Sequence, residues 1–362
     1  MLEEFTFLAT AKWPKNIQTK ATAPSNIALV KYWGKEDIQI PKNTSLSFTL
    51  SNCKTTTFLE LEEKKEATEE TQIRVFLDNK ETPSFVPKIQ KFFRLIDAYC
   101  PYLKHYNATI RTSNTFPHSS GIASSASGMA ALALCLVQVE KSLQPEILEA
   151  DLRKKASFLA RLGSGSASRS IDGGLILWGK HQKIESSSDL FAVPLSSKID
   201  PIFKDFQDTV LLIDRGQKQV SSSLGHSLMN GHPFAEARFA QAQNNITELQ
   251  SYLASGNLKE FMRLVESEAL TLHAMMMCSR PYFILMAPQT MEVIHKIWSY
   301  RDETKIPVCF TLDAGANVHL LYPKKYKTEV HEFIEQELKQ HCQDEAFIHD
   351  EVGAGGEFLE IP

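Results

Sequence analysis

The sequence predicts an α+β fold built from two intimately joined halves, and three features carry that prediction. Several short runs in the first hundred residues alternate apolar and polar side chains, as half-buried strands do. A Ser/Gly-rich stretch then leads into an apolar helix, and beyond about residue 235 the chain turns mainly helical around a strand–turn–strand unit. A length of 362 residues suits about two domains of ordinary size. The apolar run at 209–214 (TVLLID) reads as a buried strand opening the second half, so domains are expected over 1–205 and 206–362.

In chain order, 45–50 (SLSFTL), 55–61 and 72–77 (QIRVFL) read as strands, with the Lys/Glu run 62–71 as a solvated connection. Residues 87–99 place Ile89, Phe92, Phe93 and Ile96 on one helical face. A strand at 107–112 (NATIRT) precedes the helix 121–139, in which small residues give way to Met129, Leu132, Leu136 and Val139. A further helix is expected over 144–162, and a strand at 175–178 after a Gly-Gly pair. In the second half, amphipathic helices are expected over 235–253, 258–272, 288–300 and 328–338, with strands at 308–312 and 318–322. No internal repeat or low-complexity linker is found.

Hydrophobic residues make up 43% and charged residues 23%, an ordinary globular balance. The net charge of −4 supplies no general field for nucleic acid or an anionic membrane, so an anionic small molecule would have to be held by local cations and N–H groups. Six cysteines without a C-x-x-C pair favour a reduced, cytoplasmic protein over a disulfide or zinc framework. The first fifteen residues lack the pattern of a secretory signal, and no uninterrupted run of about 20 apolar residues marks a membrane span.

Residues 113–128 (SNTFPHSSGIASSASG) lie between an expected strand and an expected helix. Their small side chains let backbone N–H groups approach an anion, and the helix N-terminus aims its positive dipole end at the same place. Ser124 and Ser125 offer hydroxyls to phosphate oxygens or to Mg²⁺. The stretch lacks the lysine of a G-x-x-x-x-G-K-[ST] loop and is not G-x-G-x-x-G; alone, it would read as a Ser-rich helix cap. Three other stretches hold candidate residues. In 23–35 (APSNIALVKYWGK), Lys31, Tyr32 and Lys35 beside a turn suit a phosphorylated ligand, although a strand over 27–30 running into a turn at Gly34, with snorkelling lysines, has the same appearance. In 163–170 (GSGSASRS), an Arg in a small-residue loop suits carboxylate or phosphate. In 311–317 (TLDAGAN), Asp313 at a strand end suits a catalytic carboxylate or an Asx-turn.

Pro117-x-x-x-Gly121-Ile122-x-Ser124-Ser125-Ala126 resembles the nucleotide motif of the GHMP kinase superfamily. With NIALVKYWGK, GSGSASRS and DAGAN in that order, the chain resembles the diphosphomevalonate decarboxylase family over about residues 20–325. The resemblance implies a GHMP kinase-like fold, with an N-terminal half like ribosomal protein S5 domain 2, a ferredoxin-like C-terminal half and the active site between them. It implies ATP and Mg²⁺ as cofactors, mevalonate 5-diphosphate as substrate, and a homodimer. It further implies catalytic roles for Asp313 at the 3-hydroxyl, for Lys31 nearby, and for Arg169 and Asn26 at the carboxylate. By the same likeness, Tyr32, Lys35, Ser164, Ser166 and Ser222 bind the substrate diphosphate. Pro117, Gly121, Ser124, Ser125 and Ala126 form the ATP site, with Ser124 and Ser125 as metal contacts.

The chain departs from the family pattern at Glu36, where many members carry Arg, and at Ser223, where VSSR is common. Residues 117–121 read PHSSG in place of PTAAG, and Ala316 replaces a usual Pro. His118 or His226 is a candidate replacement for the missing cation. Two other readings stand beside decarboxylation: a kinase acting on mevalonate or phosphomevalonate without loss of CO₂, and a catalytically silent ligand sensor.

Overall fold

Strand β1 (Asn16–Val30) alternates exposed and buried residues at its start and is then buried on both faces from Ala21 to its end. That change explains why only 27–30 stood out as strand in the sequence: full burial removes the period-2 signal. The computed structural model describes residues 2–8, 13–65, 71–117, 122–216 and 222–361. After β1 come a short hairpin, β2 (Lys35–Glu36) and β3 (Ile40–Pro41), and then the long strand β4 (Ser45–Glu63). β5 (Ile73–Leu77), β6 (Lys80–Glu81), β7 (Tyr106–Asn114), β8 (Leu175–Trp178) and β9 (Val193–Pro194) complete the strands of the first half. Those of the second half are β10 (Gln207–Leu211), β11 (Cys309–Leu312), β12 (Val318–Tyr322), β13 (Phe347–Glu351) and β14 (Glu357–Leu359). The helices are α1 (Val86–Ile96), α2 (Ser124–Leu143), α3 (Glu149–Gly163), α4 (Ser222–Ser227), α5 (Ala235–Ser255), α6 (Leu258–Met277), α7 (Pro288–Thr304) and α8 (Lys327–Phe333).

The first sheet has eight strands, ordered β14-β1-β4-β7-β5-β6, with β8 and then β9 continuing from the early part of β4. The two runs read separately at 45–50 and 55–61 are one strand, β4. Between the pairs Pro24–Lys54 and Asn26–Thr49 its register with β1 shifts. The Asp350 carboxylate accepts the N–H groups of Ser51, Asn52 and Cys53 there, at 2.7, 2.8 and 2.8 Å. One side chain from the second half thus satisfies a backbone irregularity in the first.

Helix α2 lies against β1 and β4 and carries α3 on its far side. From Met129 to Val137 every residue of α2 is buried, as expected of a helix with no solvent face. Its length and composition would also suit a membrane span, but 72% of its apolar window is buried inside the fold. Helix α3 starts at Glu149, and residues 144–148 form turns, so the sequence reading began this helix too early.

The second sheet is antiparallel, ordered β11-β12-β10-β13. Helix α6 packs on β11 and also on β1 of the first sheet, which makes it one of the elements shared by the two halves. The final strand, β14, pairs with β1 through Lys20–Leu359, Ala21–Phe358 and Thr22–Glu357. The expected closing helix over 328–338 is divided into α8 and a wider π-type turn over Ile334–Leu338. The strands at 347–351 and 357–359 were not foreseen. Both are short segments whose stability comes from pairing with distant strands.

Candidate active site

Two adjoining cavities, the first within the first half and the second where the halves meet, are both lined by Lys88, Ala123 and Ser125. The first, of about 340 Å³, lies between β5, β7, α1 and the start of α2. Val75, Leu77, Ile89, Ile110, Met129 and Leu132 give it an apolar wall, with Ser124 and Ser125 at the mouth. An apolar slot ending in small hydroxyl residues at a helix N-terminus suits a planar base followed by phosphates. Ala123 caps α2 in the left-handed region at φ +47°, ψ +38°. That conformation strains an L-residue, and it lies where both cavities converge.

The second cavity, of about 330 Å³, gathers Lys31, Tyr32, Lys35, Ser164, Ser166, Arg169, His226 and Asp313. Lys31 follows the end of β1 and Asp313 follows the end of β11. The Lys31 ammonium is 2% exposed and donates to Asp313 Oδ1 at 3.0 Å, while the carboxylate keeps 29% exposure toward the cavity. Burial pulls the Lys31 pKa below the ordinary lysine value, opposed first by Asp313 and then by Glu268. The turn after Asp313 closes with its carbonyl accepting the Gly315 N–H at 2.8 Å.

Arg169 sits in a 3-10 turn, Gly165–Ser170, immediately after α3. Its guanidinium donates to Asn26 Oδ1 at 3.2 Å and to the Ser45 hydroxyl. Burial lowers its pKa to about 10, so it remains cationic at neutral pH. Among the described residues it forms no ion pair. Asn26 is fully engaged: its amide donates to Ser166 O at 3.1 Å and Ser170 Oγ at 2.8 Å while its oxygen accepts from Arg169. Asn26 therefore orients Arg169 from behind and does not line the cavity.

Elsewhere in the cavity, Tyr32 has a buried hydroxyl without a hydrogen-bond partner among the described residues, and burial raises its pKa. Its ring contacts Trp178 edge-on at 4.7 Å and His226 at 4.2 Å. Lys35 donates to Gln39 Oε1 at 2.9 Å, and burial lowers its pKa, with Lys91 as a lesser cause. Gly34, between them, has φ +97°, and a Cβ there would lie 2.9 Å from the Phe239 ring. The turn expected at this glycine is thus required by both conformation and space. Ser164 Oγ approaches Ser125 Oγ at 3.5 Å, joining the two cavities.

Of the sequence candidates, Lys31, Tyr32, Lys35, Ser164, Ser166, Arg169 and Asp313 share one cavity, and Ser125 belongs to both. Ala126 is buried in the α2 core and lines neither. Pro117 marks the end of the described part of its loop; Gly121, His118 and the Ser222 side chain lie outside the described residues. Sequence reasoning missed Lys88, a first-turn residue of α1 that the folded chain carries to the junction of the cavities. The residue keeps solvent contact, yet surrounding protein depresses its pKa.

His226 was noted only as a candidate. It is buried, and its Nδ1 accepts the Gly34 N–H at 3.0 Å, which leaves the proton of the neutral ring on Nε2. Burial first, then Lys35 and Arg169, lower its pKa to about 3. Among the described residues no group of three or more His, Cys, Asp and Glu is arranged to hold a metal. The hydroxyls of Ser124 and Ser125 fit Mg²⁺ arriving with nucleotide phosphates, since that ion favours phosphate and water oxygens over an all-protein cage.

A nucleotide-shaped slot beside a cation-rich cavity, on two α/β halves, defines a small-molecule phosphoryl-transfer enzyme of GHMP kinase-like fold. Residues 23–190 match the diphosphomevalonate decarboxylase-like N-terminal domain, and 209–356 match the mevalonate 5-diphosphate decarboxylase C-terminal domain. The chain belongs to the diphosphomevalonate decarboxylase family. The diphosphomevalonate decarboxylase of Saccharomyces cerevisiae is 29% identical over 327 residues, which cover 86% of this chain and 80% of that one. The crystal structure of mevalonate diphosphate decarboxylase from Staphylococcus aureus gives a TM-score of 0.81 at 30% identity, covering 95% of this chain and 98% of that one. A structure of MDDEF in complex with MVAPP, AMPPCP and magnesium gives 0.80 at 28% identity, covering 96% and 100%.

Proposed function

We propose that the chain catalyses ATP-dependent decarboxylation of mevalonate 5-diphosphate to isopentenyl diphosphate, with release of ADP, phosphate and CO₂ in isoprenoid biosynthesis. One observation carries the choice of a decarboxylase over a plain kinase. Arg169 is a buried cation, without an ion-pair partner among the described residues, that lines the same cavity as Asp313 and Lys31. A buried charge of this kind calls for an anion, and a substrate carboxylate supplies one.

In this reading the nucleotide base enters the apolar cavity and its phosphates reach Ser124, Ser125 and Lys88. Magnesium, when bound, would be held beside the Ser124 and Ser125 hydroxyls and would offset phosphate charge. Asp313 accepts the hydrogen bond of the substrate's tertiary hydroxyl. The Lys31 ammonium 3.0 Å away holds that carboxylate in place, and the hydroxyl proton passes to it in a loose transfer. The hydroxyl oxygen bonds to the terminal phosphorus as ADP departs. The new phosphate then leaves with the C–O electron pair, and the C–C bond to the carboxylate breaks to form the alkene and CO₂. Arg169, oriented by Asn26, holds the carboxylate throughout, and Lys31 faces the departing phosphate. Tyr32, Lys35, Ser164 and Ser166 receive the substrate diphosphate, with Ser222 added by family likeness. His226 Nε2–H supplies a neutral donor to that diphosphate, in a chain whose Glu36 and Ser223 replace family arginines.

The decisive assay supplies Mg²⁺-ATP with mevalonate, its monophosphate or its diphosphate and measures ADP and CO₂ together. Equal ADP and CO₂ from the diphosphate is expected. ADP without CO₂ would make the enzyme a kinase, and neither product from any substrate would leave a silent binding protein.

Three further readings belong to the proposal. The domains divide after residue 205, supported by the separate second sheet, with β14 returning to the first. The protein is cytoplasmic, supported by six free cysteines. It is a homodimer, supported by family likeness, and light scattering giving twice the 40.8 kDa chain mass is the expected result.

A further inference from the structure

We infer that helix α6 sets the pairing of Lys31 with Asp313, through Glu268 and His273 as positioning residues that each grip the backbone of one reacting residue. The inference rests on the proposed roles of Lys31 and Asp313. These two residues follow strands of different sheets, so neither hydrogen-bond ladder fixes their separation. Helix α6 packs on both strands concerned, β1 and β11.

Glu268 Oε2 accepts the Lys31 N–H at 2.9 Å. Its carboxylate is held in turn by Arg238 of α5, at 2.9 Å to Oε1 and 2.6 Å to Oε2, and by Asn245. Arg238 also donates to the Lys31 carbonyl at 3.3 Å, and Asn43 donates to that oxygen at 2.9 Å. Both polar groups of the Lys31 main chain are therefore fixed by side chains, from the second half and from the loop before β4. The Arg238 and Glu268 side chains are wholly buried. A fork-to-fork pair of that kind specifies geometry as well as charge.

Five residues further along α6, about 7.5 Å along the helix axis, His273 Nε2 lies 3.1 Å from the Asp313 carbonyl oxygen. A carbonyl only accepts, so Nε2 carries the proton, and burial keeps the ring neutral by lowering its pKa to about 4. One rigid helix thus holds Lys31 at one level and Asp313 at another. The 3.0 Å contact between them lies where both grips converge.

The first test compares His273→Gln, whose amide nitrogen can occupy the Nε2 position, with His273→Asn and His273→Leu, which remove that donor. Asn and Leu are expected to lower kcat at least about tenfold with KM for both substrates within about threefold, and Gln is expected to recover most of the loss. Equal kcat in all three variants would overturn the His273 grip.

The second test reads the alkaline limb of kcat/KM. Charged or titratable groups facing Lys31 are Asp313 from the β11 turn, Glu268 and His273 from α6, Arg169 from the 3-10 turn, Asp208 from β10 and Arg238 from α5. Glu268→Gln removes a negative neighbour, so the limb should move to lower pH; a limb that stays in place counts against the Glu268 grip. Since this variant leaves Arg238 unanswered, Glu268→Asp serves beside it. Aspartate keeps the charge but withdraws the carboxylate by one methylene, so kcat should fall about tenfold with the limb nearly unmoved; unchanged kcat would overturn the positioning role. Wild-type ADP and CO₂ production is measured first. Its absence would defeat the proposed function, whereas active wild type with indifferent variants would defeat only this inference.

Discussion

Lys31 Nζ and Asp313 Oδ1 lie 3.0 Å apart although 282 residues separate them in the chain. Each stands one residue past the end of a strand, in a different sheet, and the cavity beside them contains Arg169. The contact holds a cation that burial disfavours next to a carboxylate that remains partly open to substrate.

Asp313→Ala removes the proposed acceptor for the tertiary hydroxyl and leaves the Lys31 ammonium buried without that carboxylate. Turnover should fall by at least about a thousandfold. Nucleotide binding should persist, because the apolar cavity is formed by β5, β7, α1 and α2 and contains no part of the β11 turn. Calorimetry with an ATP analogue alongside the CO₂ assay checks both halves; near-normal turnover would remove Asp313 from the mechanism.

Gly165 offers a test of the proposed diphosphate site. A Cβ at this position would lie 2.7 Å from Trp178 Cη2 and 3.0 Å from the Tyr32 hydroxyl oxygen. Gly165→Ala must therefore displace an aromatic ring that walls the cavity. KM for the acid substrate is expected to rise about tenfold, with KM for ATP nearly unchanged. Steady-state kinetics with each substrate varied in turn would expose an equal rise in both, which would place the disturbance elsewhere.

Much of this site was legible as short stretches but not as an assembly. The glycine turn at 34, the helix start near Ser124 and the strand end before Asp313 leave local marks, because each depends on residue types that their own backbone requires. Glu268 and Arg238 left none. Their residue types suit any exposed helix face, and only the meeting of α5 with α6 under β1 makes them a buried clamp. The apolar cavity was hidden for the same reason: Val75, Ile110 and Met129 read as ordinary core. Most of β1 was missed because burial on both faces beyond Lys20 erased its alternation, and β13 and β14 because their partners are far away in the chain.

Ala123 should report on backbone strain at the junction of the cavities. Ala123→Gly relieves the left-handed conformation and replaces a poor N-cap residue with a better one. A stability gain of roughly 1 kcal/mol is expected, read as a higher denaturant midpoint at constant m. Lower stability would mean that the strain is already compensated by packing.

His226 joins two roles that isosteric variants separate. Asparagine can keep an acceptor near Nδ1 for the Gly34 N–H, whereas glutamine can keep a donor near Nε2. If the donor serves the substrate's phosphate end, His226→Gln should bind the diphosphate substrate within about threefold of wild type and His226→Asn about tenfold more weakly. The reverse order in a direct binding titration would make His226 a support for Gly34 alone.

The same imidazole should shape stability in acid. His226 and His273 have folded pKa values of about 3 and 4, against an ordinary value of 6.5. Below 6.5 the unfolded chain takes up a proton at each and the folded chain does not. Their contribution is therefore complete above pH 6.5 and is lost as pH falls toward those lower values. Buried Glu140 acts in the opposite sense. Burial raises its pKa from 4.5 to about 7, against the pull of Lys155, so its contribution is present below 4.5 and lost as pH rises through 7. Between pH 4.5 and 6.5 these two histidines and half-buried His349, whose pKa burial also lowers to about 4, oppose one glutamate, so acidification should lower stability. His226→Gln removes one histidine and should make the slope across that window shallower. Urea midpoints measured across it for wild type and variant provide the comparison, and parallel slopes would show that His226 is not the group being titrated.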